Sequence, residues 1–413
     1  MATQHHNNRL TSRFKLVVVL VAATLLGGVL SLLSACQPGS VNTAMTPPGL
    51  ANTTRLYLFT TGPDGQTSKV LSAVNPDNGH LIWQRKLDDV LVGYGLAEHD
   101  NLFFPAQDGN IYSFRSSDGQ PLWHTSISHG SRGSTGAWLL AYQNLVIDSI
   151  TNSTNDNGDL YALNAQSGKV IWHTSMSCAA SPSNDCAAGG RLTLLANGII
   201  YGLADDGFSA WEATNGHFLW RNGHYQLNGQ PQSMVVSHGK VYITNFYPEV
   251  DVLDATSGQF LHSLRPPEPN DSGAVVYDIT AGENTIFVLG GQTVSAYRTS
   301  DDSLLWKQAF SYHSGGTLYA GSSSVYVNYY DISMGKVGTG GSSGNDLYAL
   351  YTRDGHQIWY HQIPIGGSNL YPVEFNGVIC FGGSGSVYGL HLSDGKQLWQ
   401  FSKGSYVDGL FAS

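Results

Sequence analysis

The sequence predicts an all-β fold: an eight-bladed β-propeller of four-stranded antiparallel blades, with the ring closed by the C-terminal strand. Three observations predict it. One strand–turn–strand unit recurs eight times without an internal gap. Successive copies lie 40 to 53 residues apart, with a mean of about 45, the length of a four-stranded blade. No helical periodicity occurs beyond residue 54, whereas period-two alternation and Gly-rich turns are frequent.

The unit is clearest at Gly158–Trp172. Leu160 and Ala162 alternate as in a half-buried strand, Gln166-Ser167-Gly168 supplies the turn, and Val170-Ile171-Trp172 is a β-branched and aromatic run. The copies align on a small residue, a glycine six positions on and a tryptophan four beyond that. They are Ala73–Gly79–Trp83, Ser113–Gly119–Trp123, Ala162–Gly168–Trp172 and Ala210–Gly216–Trp220, then Val252–Gly258–His262, Ala296–Asp302–Trp306, Ala349–Gly355–Trp359 and Gly389–Gly395–Trp399. The tryptophan is replaced once, by His262, and the glycine once, by Asp302.

These residues resemble the pyrroloquinoline-quinone-type β-propeller repeat and its tryptophan-docking motif, Ala-x-Asp-x-x-x-Gly-x-x-x-Trp, over roughly residues 55–413. The Asp position of that motif is weakly kept, being Asn75, Arg115, Asn164, Glu212, Asp254, Arg298, Tyr351 and His391. The resemblance implies that Trp83, Trp123, Trp172, Trp220, Trp306, Trp359 and Trp399 dock neighbouring blades, in preference to binding a ligand.

Residues 1–35 read as an export signal. Arg9, Arg13 and Lys15 precede an apolar run from Leu16 to Leu33, and Leu33-Ser34-Ala35-Cys36 matches the lipobox of bacterial lipoproteins. That match implies cleavage before Cys36 and acylation of its sulfur; an uncleaved anchor helix is the alternative. Residues 36–54 would then be a lipidated cysteine and a tether. The stretch 37–54 carries no charged side chain and is rich in Pro, Gly, Thr and Asn, so it cannot bury a core. Fully extended it would reach about 60 Å.

The propeller begins near Arg55. In the third blade the expected strands are 135–142, 144–150, 159–164 and 169–176; in the fourth they are 191–196, 198–204, 208–212 and 217–222. The seventh blade carries an insert at 331–345. Before the first motif there is a single clear strand, 55–60, and after the last motif comes one more, 406–412. The C-terminal strand is therefore expected to complete the blade that the N-terminus begins, which leaves no open edge in the ring.

The chain has 20 basic and 30 acidic residues; residues 1–35 hold three of the former and none of the latter, so the remainder carries 17 and 30, a formal −13. No basic stripe exists to displace counterions, which argues against nucleic acid and against direct docking on anionic lipid. Of the four cysteines, Cys36 is the lipid site. Cys178 and Cys186 bound a short segment, and outside the cytoplasm a disulfide between them is expected, worth ~2–3 kcal/mol, with two free thiols as the alternative. Cys380 sits in an apolar strand as an inert thiol.

Chemistry is sparse. Quinone dehydrogenases of the resembling family carry adjacent cysteines, a Ca²⁺ site and a catalytic Asp. Here no two cysteines are adjacent, and no acidic cluster matches the calcium ligands. Gly340-Gly341-Ser342-Ser343-Gly344 has the letters of a nucleophile elbow without a following helix, and Asn155–Asp159 reads as an inter-strand turn before a calcium loop. No cofactor, no metal and no catalytic residue is expected. The resemblance points to the non-enzymatic propeller lipoproteins that scaffold outer-membrane protein assembly. The expectation is a monomeric, extracytoplasmic, membrane-tethered binding or scaffolding module. The alternatives are a cell-surface receptor for a sugar or peptide, and a quinone-dependent dehydrogenase.

Strand direction selects a face. The connections between second and third strands and between blades emerge together, and they hold every long excursion: 61–67, 128–134, 177–190, 265–273 and 331–345. The opposite face has two-residue turns such as Asn197-Gly198, His238-Gly239 and Asn376-Gly377. Long loops on a rigid scaffold are where binding concentrates. A protein or peptide partner is therefore expected on the long-loop face, at Arg132, Tyr225, Tyr247, Tyr312, Tyr330 and Lys336.

Overall fold

The computed structural model describes residues 55–61, 69–87, 91, 95–106, 108–127, 139–151, 158–176, 192–204, 207–222, 233–244, 248–267, 275–311, 315–330, 345–363, 372–383, 385–402 and 407–412. Cys36, Cys178, Cys186 and residues 1–54, expected to be an export signal and tether, lie outside them. Every regular element among the described residues is a strand.

The strands follow the repeat. The first blade supplies β1 (Leu56–Thr61), β2 (Lys69–Val74) and β3 (Leu81–Leu87). The second holds β4 (Leu96–Glu98), β5 (Asn101–Pro105), β6 (Asn110–Arg115) and β7 (Pro121–Ser126). The third holds β8 (Leu140–Tyr142), β9 (Leu145–Thr151), β10 (Gly158–Asn164) and β11 (Val170–Ser175). The fourth holds β12 (Leu192–Ala196), β13 (Ile199–Ala204), β14 (Gly207–Glu212) and β15 (Phe218–Asn222). The fifth holds β16 (Met234–Ser237), β17 (Lys240–Thr244), β18 (Val250–Asp254) and β19 (Phe260–Leu264). The sixth holds β20 (Val276–Ala281), β21 (Thr285–Gly290), β22 (Thr293–Arg298) and β23 (Leu304–Ala309). The seventh holds β24 (Gly315–Ala320), β25 (Ser324–Tyr330), β26 (Asn345–Tyr351) and β27 (Gln357–Ile363). The eighth holds β28 (Val373–Phe375), β29 (Val378–Gly383), β30 (Ser386–His391) and β31 (Gln397–Ser402), and β32 (Val407–Ala412) ends the chain.

Each blade is a four-stranded antiparallel sheet, and the first is ordered β3-β2-β1-β32. Leu56 faces Ala412, Tyr57 faces Phe411 and Leu58 faces Leu410 across the β1–β32 ladder. The C-terminal strand therefore closes the ring, and both edges of β1 are paired. First strands of successive blades touch: β32 meets β4, β4 meets β8, and β12, β16, β20 and β24 follow in order. They line the centre. The fourth strands form the outside, with patterns such as eeieie in β7, where only alternate residues are half-buried.

Second and third strands are buried on both sides between neighbouring blades. This is why β17 and β21 read as almost unbroken apolar runs. Tyr57, Phe59, Phe103, Phe104, Tyr201, Phe208, Tyr242 and Phe287 are all fully buried there, each worth roughly 1.5–3 kcal/mol of apolar transfer. The core is accordingly a set of seams; one cluster, for example, joins Phe103 and Ile111 of the second blade to Val146, Ile150 and Leu163 of the third.

Two local devices repeat. The ladder between third and fourth strands slips by one residue just after the first motif position, between Ala73 and Val74 in the first blade and at the matching place in all the others. A bulge re-aims the side chains beside it. Here it leaves pairs such as Leu81–Ile82, Phe218–Leu219, Phe260–Leu261 and Leu304–Leu305 exposed on the outer strand. On the short-turn face, Asn197-Gly198 has φ of +52° and +75°, and His238-Gly239 has +48° and +74°, the two-residue hairpin geometry that fits twisted strands.

Strand edges differ slightly from the sequence expectation. The first strand of the third blade is described only over Leu140–Tyr142, Gly198 belongs to a turn, and Asn345 opens β26 instead of closing the insert.

Candidate functional site

The motif positions build the seams. Trp83 Nε1 donates to the Ser116 carbonyl of the next blade at 3.0 Å, Trp123 Nε1 to Ala165 at 3.1 Å and Trp172 Nε1 to Ala213 at 3.2 Å. Trp306 donates to Thr352 at 2.9 Å, Trp359 to Leu392 at 2.6 Å and Trp399 to Pro76 at 2.8 Å. Each acceptor lies three residues after the first motif position of the following blade. The last bond spans the ends of the chain and seals the ring.

The motif glycine explains why the indole fits. Gly79 has φ +69°, and a Cβ there would lie 2.6 Å from the Trp399 ring; Gly119, at φ +68°, would likewise meet Trp83 at 2.6 Å. Glycine is needed both for the left-handed turn and for the close approach.

Two seams depart from this scheme. At the fourth, the Ala255 carbonyl accepts the Tyr201 hydroxyl at 3.3 Å, and Trp220 Nε1 finds no hydrogen-bond partner among the described residues. At the fifth, His262 replaces tryptophan and Asp302 replaces glycine, and the two replacements meet: His262 Nε2 lies 3.0 Å from Asp302 Oδ2.

The innermost strands carry a buried carboxyl group. Asp278 in β20 accepts from Ile279 N at 2.8 Å and from Leu318 N of the next blade at 2.7 Å. Burial pushes its carboxyl up to about 6. Asp148 in β9 is also buried, and burial raises its carboxyl well above the ordinary range against the lowering effect of the Ser149 backbone N–H.

Antiparallel alternation sends one set of strand ends to one face. From these ends depart the undescribed stretches 62–68, 152–157 and 331–344 within blades, and 128–138, 177–191, 223–232, 268–274 and 364–371 between blades. Arg132, Tyr225, Tyr247, Tyr312 and Lys336 fall outside the described residues, and Tyr330 is the last residue of β25. The described rim of this face carries carboxylates beside outer-strand partners. His173 Nε2 lies 3.4 Å from Asp159, Ser263 donates to Asp251 at 2.6 Å and Tyr360 donates to Asp346 at 2.7 Å. Tyr112 donates to Asp108 at 2.7 Å, and that set of bonds holds the Asp108 carboxyl below the usual range against the opposing pull of burial.

A family model described as outer membrane protein assembly factor BamB matches residues 146–282 and 271–405. The chain belongs to this family. Among solved structures, BamB from Moraxella catarrhalis superposes with a TM-score of 0.54 at 14% identity, covering 77% of this chain and 89% of that one. The quinohemoprotein alcohol dehydrogenase ADHIIG from Pseudomonas putida HK5 gives 0.56 at 12% identity, covering 84% and 72%. At these identities the likeness is one of fold. A quinoprotein ethanol dehydrogenase from Pseudomonas aeruginosa is 27% identical over 153 residues, 33% of this chain. The chain matches only 23% of that enzyme's length.

Adjacent cysteines and a Ca²⁺ site are what the resemblance to quinone dehydrogenases would require. The sequence has no adjacent cysteines, and the described residues contain no group of three or more His, Cys, Asp and Glu able to hold a metal ion. Cys380 is buried opposite Gly389 in the eighth blade, and burial pushes its thiol far up. It is no nucleophile in that state.

Every copy of the family repeat here also has a turn cap that the motif alignment passed over. The residue before the motif glycine position is Asn78, Asp118, Ser167, Asn215, Ser257, Asp301, Asp354 or Asp394. Each accepts from the backbone N–H two residues on, as in Asn78 to His80 at 2.9 Å and Asn215 to His217 at 2.7 Å, and likewise in the other six. An Asx-type turn explains the residue choice, and an eightfold Asn/Asp/Ser column was legible in the sequence.

Proposed function

We propose that this protein is an extracytoplasmic propeller lipoprotein, tethered through Cys36, that binds a protein partner on its long-loop face as part of membrane-protein assembly and catalyses no reaction. The observation that carries this reading is the family match over residues 146–405 on a closed ring. A rigid ring with short turns on one face and long connections on the other suits presentation of a binding surface. The net negative charge of the exported part keeps the body soluble and off anionic lipid.

Two measurements test it. Cys36→Ala is expected to abolish incorporation of a fatty-acid analogue; labelling equal to the wild type would refute the tether. Capture from detergent-solubilised envelope is expected to retain an integral membrane protein in stoichiometric amount, and failure to retain one would refute the scaffold.

The partial likeness to an ethanol dehydrogenase favours a second reading, quinone-dependent alcohol oxidation. Dye reduction with added quinone, Ca²⁺ and a primary alcohol decides between them: no turnover is expected, and turnover above the uncatalysed rate would overturn the non-catalytic reading.

A further inference from the structure

We infer that blades 5 and 6 are fastened by a charged lock of Lys240, His262 and Asp302, and that this seam is where the ring first opens. Two of the three residues depart from the repeat motif, and the third is the charged side chain that meets them. His262 stands in the tryptophan position and Asp302 in the glycine position. Lys240 opens β17, at a register position that is apolar in the third, fourth and eighth blades (Leu145, Ile199 and Val378) and polar but uncharged in the second, sixth and seventh (Asn101, Thr285 and Ser324).

Geometry shows what each one replaces. Lys240 Nζ donates to the Thr299 carbonyl at 3.1 Å. Thr299 lies three residues after Ala296, so this carbonyl matches the one that accepts an indole N–H in the tryptophan-sealed seams. The ammonium stands in for that N–H. It brings a charge that is only 19% exposed, and Asp302, 5% exposed, neutralises it at 2.6 Å. The carboxylate also accepts from the Tyr242 hydroxyl at 2.7 Å and lies 3.0 Å from His262 Nε2. Burial and Asp302 together push the Tyr242 phenol far up, so it remains a donor. The nearby Arg298 and Asp301 pair with each other, and the Asp254 carboxylate, opposite Lys240 in the ladder, is taken by Thr256 and Ser257.

Asp302 holds φ +57°, a strained value for a residue with a Cβ. The strain persists because the side chain is bound from three sides. A buried ion pair contributes little net stability beside well-packed apolar groups, although removing one partner is strongly destabilising. His262 is 44% exposed at its side chain, so this dock also lacks the apolar burial that an indole against glycine supplies elsewhere. The fifth seam is thus specific in its pairing and weak against local opening.

Hydrogen–deuterium exchange of the full chain tests this directly. Amides of β19 and of the turn 299–303 are expected to exchange sooner than the matched amides of β23 with 352–355 and of β31 with 76–79. Asp302→Gly alone strands Lys240 and is expected to lower the melting temperature by about 5 °C. Adding Lys240→Ile is expected to recover at least half of that loss. The triple variant Lys240→Ile, His262→Trp, Asp302→Gly rebuilds the arrangement of the fourth seam and is expected to slow local exchange by about threefold or more. Exchange in wild type no faster here than at the sealed seams would overturn the opening point. Additive single effects in the Lys240–Asp302 cycle would overturn the lock. Should the triple variant not fold, those two measurements still decide.

Discussion

At the scale of single residues, the seams make two separable contributions, packing and a hydrogen bond. The Trp399 indole donates to a buried carbonyl at 2.8 Å, whereas Trp220 Nε1 has no such bond. Trp399→Phe leaves the Pro76 carbonyl without its donor, at about 1–3 kcal/mol. Trp220→Phe removes a buried N–H that was already unpaired. Chemical denaturation should therefore show Trp399→Phe as the more destabilising by about 1–2 kcal/mol; equal losses would mean that packing alone sets the tryptophan. Asp278 gives a second test. Its carboxyl keeps a proton up to about 6 in the folded ring, against 3.8 ordinarily. Between those values the folded state binds more protons than the unfolded one, so stability falls as pH rises from about 4 to about 6 and levels off above. The contribution is on the order of 3 kcal/mol. Asp278→Asn is expected to flatten that part of the melting-temperature profile, and a profile parallel to the wild type would remove Asp278 as its source.

At the scale of elements, β32 is the one strand whose partner lies at the other end of the chain. Truncation after Lys403 would uncover the β1 edge from Leu56 to Thr60 and remove Leu410 and Ala412 from a buried cluster. An unpaired apolar edge templates aggregation. The truncated protein is expected to melt at least about 10 °C lower or to aggregate, while deletion of residues 37–54 should leave the melting temperature unchanged; a truncation that melts like the full chain would contradict the closure. The same element shows what sequence can reveal. The third and fourth strands were legible because motif, turn and bulge act within eleven consecutive residues. First strands were least legible: β4, β8 and β28 are three residues each, too short for a period, and they are defined by the first strands of adjacent blades. The lock at the fifth seam was visible only as two separate slips, His262 and Asp302. Their pairing became readable once the topology set the turn of one blade against the outer strand of the blade before it. Lys240 gave no signal at all, because a lysine at the head of a strand normally marks a solvated end.

At the scale of the whole molecule, the ring separates a face of short turns from a face of long connections. The two-residue turns at Asn197-Gly198, His238-Gly239 and Asn376-Gly377 hold left-handed φ values and leave little side-chain surface for a partner. The opposite face receives all the long connections, and its described rim bears Asp108, Asp159, Asp251 and Asp346 next to aromatic, histidine or serine groups. A partner docking on this proposed face would meet carboxylates at its described margin. Rim charges act mainly on encounter rate and salt dependence, while central aromatic groups carry most of the affinity. On the proposed reading of this face, Tyr247→Ala and Tyr330→Ala are expected to weaken capture of the envelope partner by tenfold or more, about 1.4 kcal/mol each. Arg132→Glu and Lys336→Glu are expected to slow association and change its salt dependence. Asn197→Asp and His238→Asn, which keep the left-handed turns, should leave both unchanged. Binding kinetics on immobilised full-length protein, with melting temperatures measured in parallel, read all of these outcomes. Loss of capture in the turn variants with retention in the loop variants would place the partner on the opposite face and reverse the assignment.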